Sequence, residues 1–235
     1  MLAIDFITLF PEMVLPAARH SMLARAEASG RVKFGAANPR NFSTDAHHTV
    51  DDSPFGGGPG MVMRPDVVSQ AIDSVLEEGG KVLIMEPWGV PFSQPIARDL
   101  SKEKQLVLVC GHYEGIDARV QEKYGAMPIS VGDYVLTGGE IPALIIADAV
   151  TRLLQGVLGD PESLNADSHA DGLLSYPQYT RPWDWEGLTP PEVLRSGNHA
   201  AIAKWRRQMS LKMTQQLRPD LLEKADLDQR DRDLL

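Results

Sequence analysis

The sequence contains one cysteine in 235 residues, which excludes an intrachain disulfide and a zinc site built from several cysteines. No apolar run approaches the roughly 20 residues that a membrane-spanning helix needs. Residues 1–5 have no basic segment, and Asp5 interrupts their apolar run, so this pattern predicts no signal peptide. From these absences we expect a cytoplasmic protein with no membrane partner.

Two common nucleotide-binding motifs are also missing. The first predicted strand, residues 2–10, is followed by Pro11 and Glu12 and has no glycine fingerprint after it, which argues against a Rossmann dinucleotide site. No Gly-x-x-x-x-Gly-Lys-Ser/Thr segment is present, so a P-loop is excluded as well. Any nucleotide-like ligand must therefore be held in another way.

The chain has 23 basic and 32 acidic residues, a net charge of −9, and 43% hydrophobic residues, as is usual for a globular protein. Residues 192–219 depart from this acidic average, because they carry six basic residues, one acidic residue and Trp205. A local basic helix in an acidic protein predicts a phosphate-binding surface for RNA. A solvated helix face is the alternative reading.

Strand and helix patterns alternate through residues 1–156, which predicts an α/β fold with a mainly parallel sheet. The predicted strands are 2–10, 31–37, 81–85, 105–110 and 129–136, and the predicted helices are 12–27, 65–78, 93–100, 116–123, 140–154, 190–197 and 200–217. Residues 39–60 are expected to form a long loop. We expect a first domain over 1–157, a flexible linker over 158–172 and a small helical domain over 173–235.

Glycines cluster after three later strands, at Gly89, at Gly111 and Gly115, and at Gly132, Gly138 and Gly139. Ligands of open α/β sheets bind beyond the carboxyl ends of the strands, and a residue without a Cβ lets the backbone approach a ligand closely. Any one of these glycines could simply make a turn. The three loops together predict a shared site that holds its ligand mainly by main-chain atoms.

A second glycine cluster, Gly56-Gly57-Gly58-Pro59-Gly60, follows the acids Asp51 and Asp52. Such a loop could grip a flat polar ligand such as a nucleobase, although composition alone also allows a solvent loop. Two other candidates are weaker. His47 and His48 are adjacent and would point apart in an extended chain, so we expect no shared metal, and Cys110 ends an apolar strand, where a free cysteine is usually a buried small hydrophobe.

Several of these segments together resemble the bacterial tRNA (guanine-N1)-methyltransferases, the TrmD family. The resemblance rests on residues 50–61, 108–117, 129–142, 177–182 and 194–199, and its most specific part is the run Gly-Asp-Tyr-Val-Leu-Thr-Gly-Gly-Glu at 132–140. It covers essentially the whole chain in order. It implies a SPOUT-type fold in which about residues 81–140 form a trefoil knot, followed by a small helical C-terminal domain.

The resemblance also implies S-adenosylmethionine as the methyl donor, with Mg²⁺ as a further candidate cofactor and no metal site assigned to particular residues. The implied donor-binding residues lie in the three glycine-bearing loops. They are Met85, Glu86, Pro87, Gly89, Gly111, Tyr113, Gly115, Ser130, Val131, Gly132, Tyr134, Leu136, Gly138 and Gly139. Glu86, Trp88 and His112 are positions where related chains can carry other residues.

The implied reaction methylates N1 of the guanine 3′ of a tRNA anticodon, at position 37. That nitrogen carries a proton, so attack needs a base and a positive group for charge that develops on O6. By resemblance Asp167 is the base, Arg152 stabilises O6 and Glu114 is a further site carboxylate. As alternatives, Asp167 could be one solvated acid among others in an acidic linker, and Arg152 could complement a helix dipole.

The substrate-binding residues expected from the glycine-rich loop and the basic helix are Asp51, Gly58, Pro59, Gly60, Arg206 and Arg207. The resemblance further implies a homodimer with each site at the subunit interface, so that Asp167 of one subunit faces the donor held by the other. The apolar predicted helix 140–154 suits either core burial or dimer contact. Two other readings remain open: a knotted methyltransferase acting on ribose 2′-OH or on rRNA, and an RNA-binding protein that kept the fold.

Overall fold

The computed structural model describes residues 1–159 and 166–235. The chain divides into two compact units, Met1–Gly159 and Asp160–Leu235. The predicted linker 158–172 includes residues 160–165, which lie outside the described residues. Within the described parts, no helix is both long and apolar enough to cross a membrane.

A five-stranded parallel sheet forms the centre of the first unit. Its strands are β1 (Leu2–Ile7), β2 (Val32–Ala37), β5 (Lys81–Pro91), β6 (Gln105–Val109) and β7 (Met127–Ser130), in the order β2-β1-β6-β5-β7. A separate antiparallel pair joins β3 (Asp51–Asp52) to β4 (Val62–Met63). The predicted α/β class and parallel sheet are confirmed.

Both faces of the large sheet are buried, as expected for parallel strands covered by helices on each side. Ile4 pairs in register with Phe34 and with Leu106, and these side chains pack in one core. Ile7 and Val109 point to the other face and pack in a second core. This explains why the strands read as continuous apolar runs.

Six helices cover the two faces of the sheet: α1 (Pro11–Ala18), α2 (Ser21–Ala28), α3 (Pro65–Asp73), α4 (Gln94–Leu100), α5 (Ala118–Tyr124) and α6 (Glu140–Thr151). Residues of α1, α2, α4 and α6 pack in the first core, and residues of α3 and α5 in the second. Helix α5 shows clear local signals, because Asp117 caps its first turn and Gly125 ends it in the left-handed conformation.

Three sequence predictions about these elements were wrong. The helix expected over 12–27 is two helices, because the chain breaks at Arg19 and His20 and Ser21 takes a positive φ of 51°. The strand expected over 81–85 is longer, since β5 continues to Pro91 after an irregularity between Met85 and Val90. The strand expected over 129–136 stops at Ser130, before Gly132 with its φ of 154°.

The expected long loop over 39–60 also contains regular structure, namely a short 3-10 helix (Pro39–Phe42) and strand β3. The 3-10 turn starts where the Asn38 side chain accepts a hydrogen bond from the Arg40 N–H. Strand β3 is only two residues long and depends on a partner, β4, that follows the glycine-rich segment. A two-residue strand has no periodicity that a sequence could display.

In the second unit the described residues form a 3-10 helix (Glu192–Arg195) and the helices α7 (His199–Leu217), α8 (Pro219–Leu222) and α9 (Gln229–Arg232). Helix α7 begins one residue before the predicted start at 200, and the Asn198 side chain caps it by accepting from the Ala201 N–H at 3.1 Å. Leu211 and Thr214 of α7 are buried, and Leu173 is buried as well.

Candidate active site

A cavity of about 290 Å³ opens in the first unit between the second half of β5 and the segments that follow β6 and β7. This is the carboxyl edge of a parallel sheet, where open α/β folds bind ligands. All of the predicted donor-binding residues except Gly89 line it. The lining is Met85, Glu86, Pro87, Trp88, Gly111, His112, Tyr113, Glu114, Gly115, Ile129, Ser130, Val131, Gly132, Tyr134, Val135, Leu136, Thr137, Gly138, Gly139 and Pro142.

Three of the glycines allow the segments that form the cavity to pack closely against one another. A Cβ on Gly89 would collide with the Ile129 backbone, and one on Gly138 would collide with the His112 ring. A Cβ on Gly139 would lie 2.6 Å from the Cys110 Cα, in a place where the Gly139 N–H donates to the Gly111 carbonyl at 3.0 Å. The structure gives these glycines a role in building the cavity wall, and their contact with a ligand stays a prediction.

The glycine-rich segment adjoins one side of this cavity. The Glu114 N–H donates to the Met61 carbonyl at 3.0 Å, and the Met63 N–H donates to the Gly115 carbonyl at 2.9 Å. Gly60, with a φ of 81°, lies against the Glu114 side chain, so that a Cβ there would overlap the carboxylate. The predicted substrate loop and the predicted site carboxylate Glu114 are therefore neighbours.

The other predicted loop residues lie along the same segment. Asp51 pairs with Met63 in the β3-β4 ladder, while Gly58 and Pro59 are exposed. Phe55, at the start of the glycines, is 95% exposed. An exposed loop with a large aromatic side chain is accessible to a ligand that approaches from the solvent.

A buried hydrogen-bonded group behind the cavity was missed by sequence reasoning. Glu140, the first residue of α6, is only 2% exposed, and both of its carboxylate oxygens lie 2.9 Å from His112 Nε2. The Thr8 hydroxyl donates to the same carboxylate at 2.6 Å and accepts from the Phe10 N–H at 2.9 Å. This group ties the end of β1, the segment after β6 and the start of α6 together.

The charges that face the cavity are predominantly negative. Glu86 and Glu114 line it, and none of its lining residues is a lysine or an arginine. Burial raises the pKa of Glu86 above its usual value. The cavity therefore favours a ligand that carries positive charge.

The surroundings of Cys110 and His48 show what these two weaker candidates contact. Cys110 is completely buried, and burial together with the nearby Glu140 carboxylate raises the pKa of its thiol, so the expected reading as a small hydrophobe is confirmed. His48 lies with its Nδ1 3.2 Å from the Arg40 carbonyl. In residues 1–159 and 166–235, no cluster of three or more His, Cys, Asp or Glu side chains could hold a metal ion, so the structure does not support the Mg²⁺ expectation.

A second cavity, of about 150 Å³, lies within the second unit. It is lined by Ala166, Asp167, Asp171, Leu174, Ser175, Tyr176, Arg206, Arg207 and Ser210. Arg206 lies over the Tyr176 ring at 5.0 Å. Arg207 makes a two-pronged contact with Asp231, at 2.7 and 2.6 Å, and a further contact with Asp171 at 2.5 Å, so this guanidinium is largely engaged within the unit.

Comparison with known proteins is decisive for the family. The sequence model described as tRNA (Guanine-1)-methyltransferase TrmD matches residues 2–224. The chain belongs to the TrmD family. Among curated relatives, the tRNA (guanine-N(1)-)-methyltransferases of Pelotomaculum thermopropionicum and Dictyoglomus turgidum are each 51% identical, covering 99% and 100% of this chain and 94% and 96% of their own. That of Moorella thermoacetica is 49% identical over 99% of this chain.

Membership of the TrmD family makes the chain an enzyme that transfers methyl groups. The three residues predicted for catalysis lie in three different parts of the structure. Glu114 lines the first cavity. Arg152 follows the last residue of α6, at the opposite end of that helix from Glu140, and twelve residues of helix span about 18 Å. Asp167 lines the cavity of the second unit.

Proposed function

We propose that this TrmD-family enzyme transfers a methyl group from S-adenosylmethionine to N1 of the guanine at position 37 of tRNA, in the cytoplasm. The observation that carries the proposal is the first cavity, which lies at the carboxyl edge of the sheet in a chain that matches the family over residues 2–224. The family fixes the reaction class, and the cavity supplies a place for the donor.

The cavity residues fit this donor chemically. S-adenosylmethionine carries a sulfonium and an ammonium against one carboxylate, and the cavity presents two carboxylates with no lysine or arginine. The exposed aromatic rings of Trp88, Tyr113 and Tyr134 offer flat surfaces for the adenine. When bound, the donor supplies an electrophilic methyl group.

Residues of the chain itself remove the N1 proton of the guanine and stabilise the charge that develops on O6. We assign Asp167 as the base that takes the N1 proton, because a carboxylate placed within hydrogen-bond reach accelerates such a step. Arg152 is assigned to the charge that develops on O6, since a guanidinium stays charged and donates in a planar fork. Glu114, at the junction of the cavity and the glycine-rich loop, is assigned to positioning the guanine.

A homodimer with composite active sites is part of the proposal. Within one chain α6 separates Arg152 from the cavity at its other end. The same helix exposes Ile141 and Ile145, at 47% and 41%, and α1 exposes Met13 at 44%. Exposed apolar side chains of this size suit contact with a second copy, which would bring its Arg152 and Asp167 to this cavity.

The remaining features that the family implies belong to the same proposal. A trefoil knot over residues 81–140 is compatible with the parallel order β6-β5-β7, in which β5 lies between two later strands. tRNA binding is assigned to the exposed basic residues of α7, namely Lys204, Arg206 and Lys212. It is also assigned to Asp51, Gly58, Pro59 and Gly60 of the glycine-rich loop. Arg207 supports that surface from within through its contacts with Asp231.

The test is a transfer assay with labelled S-adenosylmethionine and an unmodified tRNA transcript, followed by nuclease digestion. We expect the label in 1-methylguanosine. A transcript with adenine in place of the guanine at position 37 is the matched control, and it should accept no label. Label in 2′-O-methyl nucleosides, or equal labelling of the control transcript, would overturn the proposal.

A further inference from the structure

Glu86 is the more buried of the two carboxylates that line the cavity. It is half-buried on β5, whereas Glu114 is exposed. No lysine or arginine is among the lining residues. The result is a negative charge that is partly shielded from water and has no cationic side chain beside it in the lining.

We propose that Glu86 selects its ligand by charge, holding the cationic sulfonium donor more tightly than the neutral thioether that remains after methyl transfer. This inference rests on the proposed function, because it takes S-adenosylmethionine as the ligand of the cavity. It assigns to Glu86 a part in specificity and product release, and no part in bond making.

The physical reason lies in the balance of the transfer step. The sulfur–methyl bond breaks with its electron pair left on sulfur, the methyl carbon bonds to guanine N1, and the N1 proton passes to the base. The sulfur therefore changes from a cation to a neutral thioether, while the adenosine, ammonium and carboxylate groups stay the same. A carboxylate in a partly desolvated cavity distinguishes these two states, because charges interact more strongly there than in water.

Other titratable groups face the same cavity and must be separated from Glu86. They are Glu114, Tyr113 and His112 on the segment after β6, and Tyr134 on the segment after β7. The ring of His112 is already held by Glu140 behind the wall. No lysine or arginine among the lining residues neutralises the charge of Glu86. Removal of that charge is therefore sufficient to change the electrostatic field at the ligand.

The decisive measurement is calorimetric titration of the full-length protein with S-adenosylmethionine and with S-adenosylhomocysteine. The wild type is compared with Glu86→Gln, which keeps the shape and loses the charge. We expect about fivefold weaker binding of S-adenosylmethionine, which corresponds to ~1 kcal/mol, with binding of S-adenosylhomocysteine changed less than twofold. Glu122→Gln, on the exposed side of α5 away from the cavity, is the matched control and should bind both like the wild type.

A pH series adds a readout that a purely structural role would not change. Burial raises the pKa of Glu86, and only its ionised form attracts the donor. The preference of the wild type for S-adenosylmethionine over S-adenosylhomocysteine should therefore shrink as the pH falls from 7 towards 5. The preference of Glu86→Gln should not change with pH in this way, because the variant has no carboxylate at this position.

The outcomes separate the two proposals. If Glu86→Gln weakens both ligands equally, or neither, the charge-selection role is overturned while the proposed function stands. If the wild-type protein binds neither ligand, the proposed function fails and this inference fails with it. Thermal unfolding of the variant serves as a check, since a misfolded protein would lose both ligands together with its wild-type melting temperature.

Discussion

The buried contact between Thr8 and Glu140 allows a sharp test of what holds the cavity wall in place. Thr8 is completely buried, and its hydroxyl donates to the Glu140 carboxylate at 2.6 Å. Thr8→Val keeps the branched shape and removes only the hydroxyl. A hydrogen bond to a charged group contributes about 1.5–3 kcal/mol, and the Phe10 N–H loses its acceptor as well. We expect the free energy of unfolding to fall by roughly 2–3 kcal/mol.

The chain offers a matched control in Thr151, which is also completely buried. Its hydroxyl has no hydrogen-bond partner among the described residues. Burying an unsatisfied hydroxyl costs free energy, so Thr151→Val, the same chemical change, should leave the stability unchanged or raise it by up to about 1 kcal/mol.

Urea unfolding followed by circular dichroism measures both variants. The loss at Thr8 corresponds to a melting temperature lower by roughly 5–10 °C for a unit of this size. Since Thr8 and His112 hold the same carboxylate, calorimetry should also show weaker donor binding in Thr8→Val. Equal stability changes in the two variants would refute the reasoning, because they would mean that the hydroxyl of Thr8 gains nothing from its partner.

Three further predictions concern other parts of the chain. Gly139→Ala should weaken donor binding at least about tenfold by calorimetry, because its Cβ would lie 2.6 Å from Cys110 Cα, while Gly159→Ala, which has open space, should bind normally; unchanged binding in Gly139→Ala would contradict the packing argument. Asp167→Ala should lower turnover by about a hundredfold or more with donor affinity within about twofold; an equal loss of donor affinity would contradict its assignment as base. The Arg207 guanidinium lowers the pKa of Asp231, so Asp231 stabilises the folded state above its unfolded pKa of about 3.9 and less as the pH falls below it. Asp231→Asn should therefore be less stable than wild type in urea at pH 7, with a smaller difference at pH 3, and a difference independent of pH would exclude this linkage.

The residues that could be located from sequence are those whose signals are local. The apolar runs of β1 and β6 predicted buried parallel strands, and the helix predicted over 200–217 is found as α7. The glycines at successive strand ends predicted a shared cavity because parallel strands end at one edge of the sheet. Each of these inferences needs only neighbouring residues and a general rule of the fold class.

The features that sequence could not predict depend on contacts between distant segments. Thr8 and Glu140 are 132 positions apart, and nothing near either residue shows that β1 lies beside β6 in the sheet. Strand β5 runs through Trp88 because β7 pairs with it on both sides of an irregularity, although its own residues suggest a loop. The break at Arg19 and His20 has no glycine or proline of its own, and Pro16 lies inside α1, four residues before His20.

Helix α6 carries a residue of the cavity wall at one end and a predicted catalytic residue at the other. Its first residue, Glu140, is fixed by Thr8 and His112 and so determines the position of the cavity wall. Arg152 follows its last residue, about 18 Å further along the axis. An arginine side chain is shorter than this helix, so in the proposed homodimer the Arg152 guanidinium at each cavity would be that of the second copy. The same rigid element would then set the donor position in one active site and the charge-stabilising group in the other.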